Sequence, residues 1–105
     1  MTNWQQRASE FAEKHNLIRS PGVYALDLLS ELGEVAKEIL LATDYGKRPL
    51  PTQFNQSDLA GELGDALYSL CLLAHASGID LEAAFATTLT KYEQRRQQQG
   101  NPGSK

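Results

Sequence analysis

The sequence contains a single cysteine, Cys71, among its 105 residues. A lone cysteine excludes an intramolecular disulfide, which fits a reducing cytosol. The longest apolar runs are a few residues long, whereas a membrane-spanning helix needs about 20. The N-terminal residues lack a basic stretch followed by an apolar core, so no secretory signal peptide is expected. We therefore predict a cytoplasmic protein that is not embedded in a membrane.

The chain also lacks an excess of positive charge. It has ten Lys and Arg residues and thirteen Asp and Glu residues, which gives a net charge of −3. A nucleic-acid-binding face normally shifts this balance toward basic residues, so no nucleic-acid partner is predicted. The length predicts one domain. A chain of this size buries only roughly 60–65% of its unfolded surface, so its core is expected to be small.

No stretch shows the alternation of a β-strand, and apolar residues recur at the three- and four-residue steps of helices. Ser20 and Pro21 predict a helix start with a capping hydroxyl, Gly78 predicts a helix end, and Asp80 predicts a cap. The expected fold is all-α, a four-helix arrangement over residues 1–97 followed by a flexible tail over residues 98–105. The predicted helices cover about 2–15, 21–42, 57–78 and 81–97.

Apolar side chains predict which face of each outer helix is buried. In the first helix Trp4, Ala8, Phe11 and Ala12 recur on one side, and they are expected to pack in the core. Leu81, Ala84, Phe85, Leu89 and Tyr92 form the corresponding side of the fourth helix. Trp4 and Tyr45 are able to stack on a nucleobase, but packing is the favoured interpretation of both.

One four-residue motif occurs twice, as "ELGE" at residues 31–34 and "ELGD" at residues 62–65. At about 100° per residue, Asp27, Glu34 and Glu38 lie within about 60° of Glu31 on one side of the second helix. Asp58 and Asp65 lie similarly beside Glu62 on the third helix. Each acidic stripe borders a wide apolar face, so the two helices share one pattern.

Carboxylates at this spacing repel one another, at a few tenths of a kcal/mol for each i,i+4 pair. The repulsion grows where two stripes meet at a packed border, so a cation between them is expected. An all-carboxylate site suits Mg²⁺ or Mn²⁺. A di-iron bundle requires Glu-x-x-His, and neither His15 nor His75 follows a glutamate at that spacing.

The pair of motifs Glu31-x-x-Glu34 and Glu62-x-x-Asp65 resembles the MazG-like all-α nucleotide pyrophosphohydrolases, which include the dCTP pyrophosphatases. The resemblance covers most of the chain. "RASEFAEKHNLIRSPGVYALDLLSELGEVAKEIL" is similar to the first two helices of the family. "GELGDALYSLCLLAHASGIDLEAAF" is similar to the third helix and the start of the fourth, and "LTKYEQRR" to the basic end.

The resemblance implies an activity, the Mg²⁺-dependent hydrolysis of a nucleoside triphosphate to the monophosphate and pyrophosphate. Carried over by position, Glu31, Glu34, Glu62 and Asp65 are the implied metal ligands. Glu34 or Glu38 is the candidate for activating the attacking water. The implied assembly is a homodimer or homotetramer, which agrees with apolar faces too wide for four short helices to cover.

Lys91 and Arg95, four residues apart on the predicted fourth helix, are the candidates for binding phosphate oxygens. Their alternative role is that of solvated cations near a helix C-terminus. Base preference stays open, because "LLATDYG" lacks the tryptophan of some dCTP-cleaving relatives and Ser69 replaces a frequent aromatic residue. Two other functions also stay open: a non-catalytic dimerisation or docking module, and hydrolysis of a modified nucleotide or diphosphate metabolite.

Overall fold

The computed structural model describes residues 3–52, 54 and 56–99. These residues form four helices and no strand, which confirms the all-α prediction. The helices are α1 (Asn3–Lys14), α2 (Pro21–Ala42), α3 (Gln56–Ala76) and α4 (Leu81–Gln99). α2 packs along α3, and α1 packs against the other side of α3. α3 is therefore the central helix of the fold.

The helix ends mostly follow the residues that predicted them. Gly78 adopts a φ of 69°, and the Ile79 N–H donates to the Ala74 carbonyl at 2.9 Å, which closes α3 as a glycine C-cap does. Asp80 Oδ1 accepts the N–H groups of Glu82 and Ala83 at the start of α4. Ser20 does precede α2, but the prediction of a capping hydroxyl was wrong, since its side chain makes no capping hydrogen bond.

The predicted boundary between domain and tail falls inside α4. The helix continues through Gln98 to Gln99, so the first two residues of the predicted tail are helical. The remaining residues of that tail, 100–105, lie outside the described residues.

The buried core is small and centres on Ala12, Tyr24 and Leu72, one from each of α1, α2 and α3. The Tyr24 hydroxyl is satisfied twice, because it accepts the Arg19 N–H at 2.7 Å and donates to the Leu17 carbonyl at 2.8 Å. This side chain therefore ties the loop between α1 and α2 to the core. Cys71 is buried beside Leu72, as its place on the apolar face predicted.

The buried face of α1 matches the prediction only in part. Ala12 is buried and Ala8 packs partly against the core, as expected. Gln5 and Ser9 are also buried, whereas Trp4 is 61% and Phe11 is 51% exposed. The physical reason is the polar contact of Gln5, whose side-chain amide donates to the Ile79 carbonyl at 2.6 Å and accepts the Leu81 N–H at 2.8 Å. Burying this hydrogen-bonded amide rotates Trp4 and Phe11 away from the core. The packing prediction for Tyr45 was also wrong, since it is 66% exposed.

α4 diverges from the other three helices. It is bent by 100° relative to α3 and does not pack along α1, α2 or α3. Phe85 and Leu89, predicted to pack, are 61% and 51% exposed. Among the described residues no single helix is long and apolar enough to cross a membrane, and α3 and α4 meet that test only as a bent pair.

Candidate metal centre

Three of the four predicted metal ligands meet where α2 packs along α3. One carboxylate oxygen from each of Glu31, Glu62 and Asp65 lies within 4.8 Å of the other two. Glu62 and Asp65 are one helical turn apart on α3, and Glu31 faces them from α2. Glu31 and Glu62 are half-buried, while Asp65 is exposed. The cluster therefore offers three oxygen donors at the edge of the packed interface.

The pKa of Glu62 is raised above its ordinary value. The largest cause is partial desolvation between the two helices, followed by the negative charges of Glu34, Glu31, Asp65 and Glu38. Every charge that acts on this carboxyl group is negative. A cation bound beside Glu62 would relieve this repulsion.

Glu34 and Glu38 lie near the cluster without joining it. Glu34 falls outside the set of three mutually close carboxylates, yet its charge acts on Glu62 more strongly than that of Glu31. Glu34 therefore contributes negative charge at Glu62 through an exposed carboxylate, outside the set of three that converge.

No cation of the described residues neutralises this cluster, since none forms an ion pair with any of its carboxylates. Lys91 and Arg95, the predicted phosphate ligands, are on α4. Asp65 and Ala76 are 11 positions apart on α3, and Leu81 and Lys91 are 10 positions apart on α4. With the 100° bend between the helices, Lys91 therefore lies roughly 20 Å from the cluster. Within one chain the structure does not bring these cations to the carboxylates.

An apolar groove of about 560 Å³ runs between α1 and α3. Trp4, Arg7 and Phe11 line it from α1, and Gly64 and Tyr68 line it from α3. At about 100° per residue, Gly64, Tyr68 and Cys71 lie on the side of α3 turned away from Glu62, so the groove and the carboxylate cluster occupy different faces of that helix. The Tyr68 hydroxyl is buried and has no hydrogen-bond partner among the described residues. A groove with aromatic walls is suited to a planar ligand.

Sequence reasoning did not single out Arg7 or this groove. The signal was present in the spacing, because Trp4, Arg7 and Phe11 follow one another at three- and four-residue steps on one helix face. That face was interpreted as core, and the cation on it was overlooked.

Comparison with known proteins agrees with this architecture. The sequence profile of the MazG nucleotide pyrophosphohydrolase domain matches residues 19–99, which include α2, α3 and α4. The chain therefore belongs to the MazG nucleotide pyrophosphohydrolase family, as its two acidic motifs indicated. It is also similar to the uncharacterized protein YpjD of Bacillus subtilis (strain 168), with 33% identity over 76 residues, 72% of this chain and 67% of the relative. No solved structure matches the chain.

Proposed function

We propose that this protein hydrolyses a nucleoside or deoxynucleoside triphosphate to the monophosphate and pyrophosphate, with Mg²⁺ or Mn²⁺ as its cofactor. The observation that carries the proposal is the convergence of Glu31, Glu62 and Asp65 to within 4.8 Å, in a family that acts on nucleotides. The role we propose is removal of unwanted nucleotides from the cytoplasmic pool.

The donor set fits a hard divalent cation. Glu31, Glu62 and Asp65 supply only oxygen ligands, which Mg²⁺ and Mn²⁺ prefer. Glu34 would complete the set. A bound divalent ion would supply charge neutralisation of the triphosphate and would lower the pKa of water. Glu34 or Glu38 would orient the attacking water or accept its proton.

Phosphate binding by Lys91 and Arg95 requires a second chain in this proposal. Both residues lie on a helix that diverges from its own carboxylates, and α4 exposes the apolar side chains Phe85 and Leu89. In a homodimer or homotetramer, α4 of one protomer is free to approach the metal cluster of its partner. The acidic cluster and the basic end of α4 have complementary charges, which favours this arrangement.

No pocket for the base is assigned in this proposal, because the aromatic groove lined by Trp4, Phe11 and Tyr68 lies on the side of α3 away from the carboxylates. Trp4 is 61% exposed, so its ring remains available for stacking. The preferred nucleobase, canonical or modified, is to be determined by comparing substrates in the assay.

The decisive experiment measures pyrophosphate release from a panel of canonical and modified nucleoside triphosphates, with Mg²⁺, Mn²⁺ or EDTA. We expect release from at least one substrate, dependence on the metal, and loss of at least about 100-fold in kcat/KM for Glu62→Gln. Glu10→Gln, an exposed carboxylate change on α1, is the matched control and should retain activity. If no substrate releases pyrophosphate with either ion, the proposal is wrong.

One alternative is a non-catalytic helical module that docks a partner, and the exposed apolar side chains of α2 and α4 favour it. Its signature is indifference to divalent ions in both activity and thermal stability. The other alternative keeps the metal but replaces the substrate with a diphosphate-containing metabolite. Including such compounds in the panel distinguishes it, because the products then lack pyrophosphate.

A further inference from the structure

A second pocket, of about 250 Å³, lies where α2 packs along α3. We call it the Asp27 pocket. It is lined by Val23, Tyr24 and Asp27 from α2 and by Ser69 and Leu72 from α3. Pockets that enclose a whole small molecule usually measure about 300–1,000 Å³. The Asp27 pocket is smaller than that, so it is suited to one part of a larger molecule.

The Asp27 pocket continues the line of the metal cluster. Asp27 precedes Glu31 by four residues on α2, and Ser69 follows Asp65 by four residues on the antiparallel α3. Four residues are about 6 Å along a helix axis and turn its direction by only about 40°. The pocket and the cluster therefore open on the same side of both helices, about 6 Å apart.

The carboxylate of Asp27 is available to a ligand. It is exposed and forms no ion pair with a described residue. Arg19 also lines the pocket, but its guanidinium donates to the carbonyl oxygens of Asn16 and Ile18 at 3.0 and 2.9 Å. An ionised carboxylate accepts hydrogen bonds and donates none. Asp27 is therefore suited to a ligand group that carries a hydroxyl or an N–H.

The end of the pocket farther from the cluster is apolar. Tyr24 and Leu72 form its floor, with 4% and 1% of their surface exposed, and Val23 lies at its rim with 42% exposed. The Tyr24 hydroxyl already has two hydrogen-bond partners, the Arg19 N–H and the Leu17 carbonyl, so Tyr24 offers the ligand its ring. The pocket thus has a polar end toward the carboxylate cluster and an apolar end away from it.

We propose that the Asp27 pocket is the nucleoside subsite and that Asp27 accepts a hydrogen bond from the 3′-hydroxyl of the pentose. This inference rests on the proposed function, which places the triphosphate at the carboxylate cluster. Five bonds of about 1.5 Å join the α-phosphorus of a nucleotide to its 3′-oxygen, and in a bent chain they span roughly 5 Å. That span agrees with the one-turn separation between Asp27 and the cluster, and it leaves the base at the apolar end.

An amino group of the base is a less suitable partner for Asp27. Such groups lie beyond the sugar, about twice as far from the α-phosphorus as the 3′-oxygen. Asp27 is too close to the cluster to reach them when the phosphates are bound there. The substrate class that follows is a nucleotide with a free 3′-hydroxyl, which both ribonucleotides and deoxyribonucleotides possess.

A carboxylate at this position also has a cost that the hydrogen bond explains. Asp27 repels Glu31 one turn away on the same helix. It also lies close to where a polyanionic substrate would bind. A hydrogen bond from an uncharged hydroxyl to a charged acceptor is stronger than one between neutral groups, and it offsets this repulsion.

The test compares 2′-deoxynucleoside triphosphates with their 2′,3′-dideoxy analogues, which lack the 3′-hydroxyl. We expect the wild-type kcat/KM to be at least about tenfold higher for the deoxy substrate. Asp27→Ala should lower kcat/KM for the deoxy substrate by a similar factor and leave the dideoxy substrate nearly unchanged, so that the preference disappears. Glu10→Ala, which removes an exposed carboxylate of α1, is the matched control and should keep the wild-type preference.

The ratio of the two substrates distinguishes a hydrogen bond from a general effect of charge. Removing Asp27 changes the electrostatic field at Glu31, but that change acts on both substrates alike. The variant should also fold, because alanine favours a helix and relieves the repulsion of Glu31. A wild-type protein that cleaves both substrates equally, or an Asp27→Ala variant that keeps the preference, overturns the proposal.

Binding of the reaction products gives a readout that does not depend on hydrolysis. Calorimetric titration with 2′-deoxynucleoside monophosphates and their 2′,3′-dideoxy analogues, in the presence of Mg²⁺, should show the same Asp27-dependent preference. Pyrophosphate release without this preference leaves the proposed function standing and overturns the subsite. The preference in binding without pyrophosphate release supports the subsite and contradicts the proposed function. Absence of both overturns both.

Discussion

The side chain of Gln5 holds both sides of the turn between α3 and α4, with its amide nitrogen 2.6 Å from the Ile79 carbonyl and its amide oxygen 2.8 Å from the Leu81 nitrogen. These contacts span more than 70 residues of sequence and are almost completely buried, since Gln5 is 1% exposed. They fix the direction in which α4 leaves the fold. The position of Lys91 and Arg95 therefore depends on a residue of α1.

Replacing Gln5 should destabilise the protein markedly. Gln5→Ala leaves the Ile79 carbonyl and the Leu81 N–H without this partner, and we expect a loss of about 2–3 kcal/mol in the free energy of unfolding. Gln6→Ala is the matched control, because Gln6 is exposed and bonds only the neighbouring Glu10 side chain. Urea unfolding of both variants measures the difference. Equal stabilities would show that the buried amide does not hold the turn.

The cap of α4 gives a second stability prediction. The hydrogen bond from the Ala83 N–H is the largest cause that lowers the pKa of Asp80. Asp80→Ala should lower the free energy of unfolding, whereas Asp80→Asn keeps a capping oxygen and should lower it less. Because the pKa of Asp80 is lowered in the folded state, its ionised carboxylate stabilises the fold at pH values above the ordinary aspartate pKa. That stabilisation is lost as the pH falls through the folded-state pKa. Unfolding curves at neutral and acidic pH should show the Asp80→Ala difference shrinking toward the acidic end.

The metal-free protein should become less stable as the pH rises past the ordinary pKa of glutamate. The pKa of Glu62 is raised in the folded state, first by desolvation and then by its acidic neighbours. The folded state therefore binds this proton more tightly than the unfolded state does, and the benefit is lost as the pH rises through the folded pKa. Glu62→Gln should remove this dependence and be the more stable protein at neutral pH in EDTA. A wild-type protein at least as stable as Glu62→Gln under those conditions would contradict the prediction.

Divalent ions should reverse the order of these two proteins. At a concentration 100 times the dissociation constant, an ion stabilises the fold by about 2.7 kcal/mol. For a chain of this size that raises the melting temperature by roughly 10–20 °C. Glu31→Gln, Glu62→Gln and Asp65→Asn should each abolish most of the shift. Glu34→Gln should abolish this shift in melting temperature only if Glu34 is a metal ligand. The size of its effect therefore distinguishes a metal ligand from a nearby residue that acts only as a general base.

The sequence predicted those parts of the structure that depend on local chemistry. Gly78 and Asp80 ended α3 and began α4 as expected, because a glycine C-cap and an aspartate N-cap act through their nearest neighbours. The carboxylate cluster was also predictable, since helical spacing fixes Glu62 and Asp65 on one face and the repeated motif supplies Glu31 opposite them. These features require no knowledge of long-range packing.

The buried face of α1 and the direction of α4 were not predictable in the same way. Both depend on Gln5, a polar residue that the apolar pattern passes over, meeting a turn that lies far away in sequence. The exposed leucines of α2 agree with the expectation that its apolar face is too wide for four short helices to cover. An apolar stripe looks alike in sequence whether its own chain or a second copy covers it, and only the fold shows that Leu26 and Leu29 are left open.

The proposed use of α4 by a second protomer predicts complementation between two inactive variants. Lys91→Ala with Arg95→Ala removes the phosphate-binding cations, and Glu62→Gln removes a metal ligand. If each site combines the carboxylates of one chain with α4 of the other, a mixed dimer contains one site with both defects and one intact site. Random exchange makes half of the dimers mixed, so an equimolar mixture should recover about a quarter of wild-type activity.

A site contained within one chain predicts the opposite result, because every site in the mixture then carries one of the two defects. The measurement is pyrophosphate release before and after the variants are mixed and allowed to exchange protomers. The control is each variant alone at the same total concentration, which should stay inactive. Recovery in the mixture together with inactivity of each variant alone assigns the site to residues of two chains. No recovery after complete exchange would place Lys91 and Arg95 outside the partner's site.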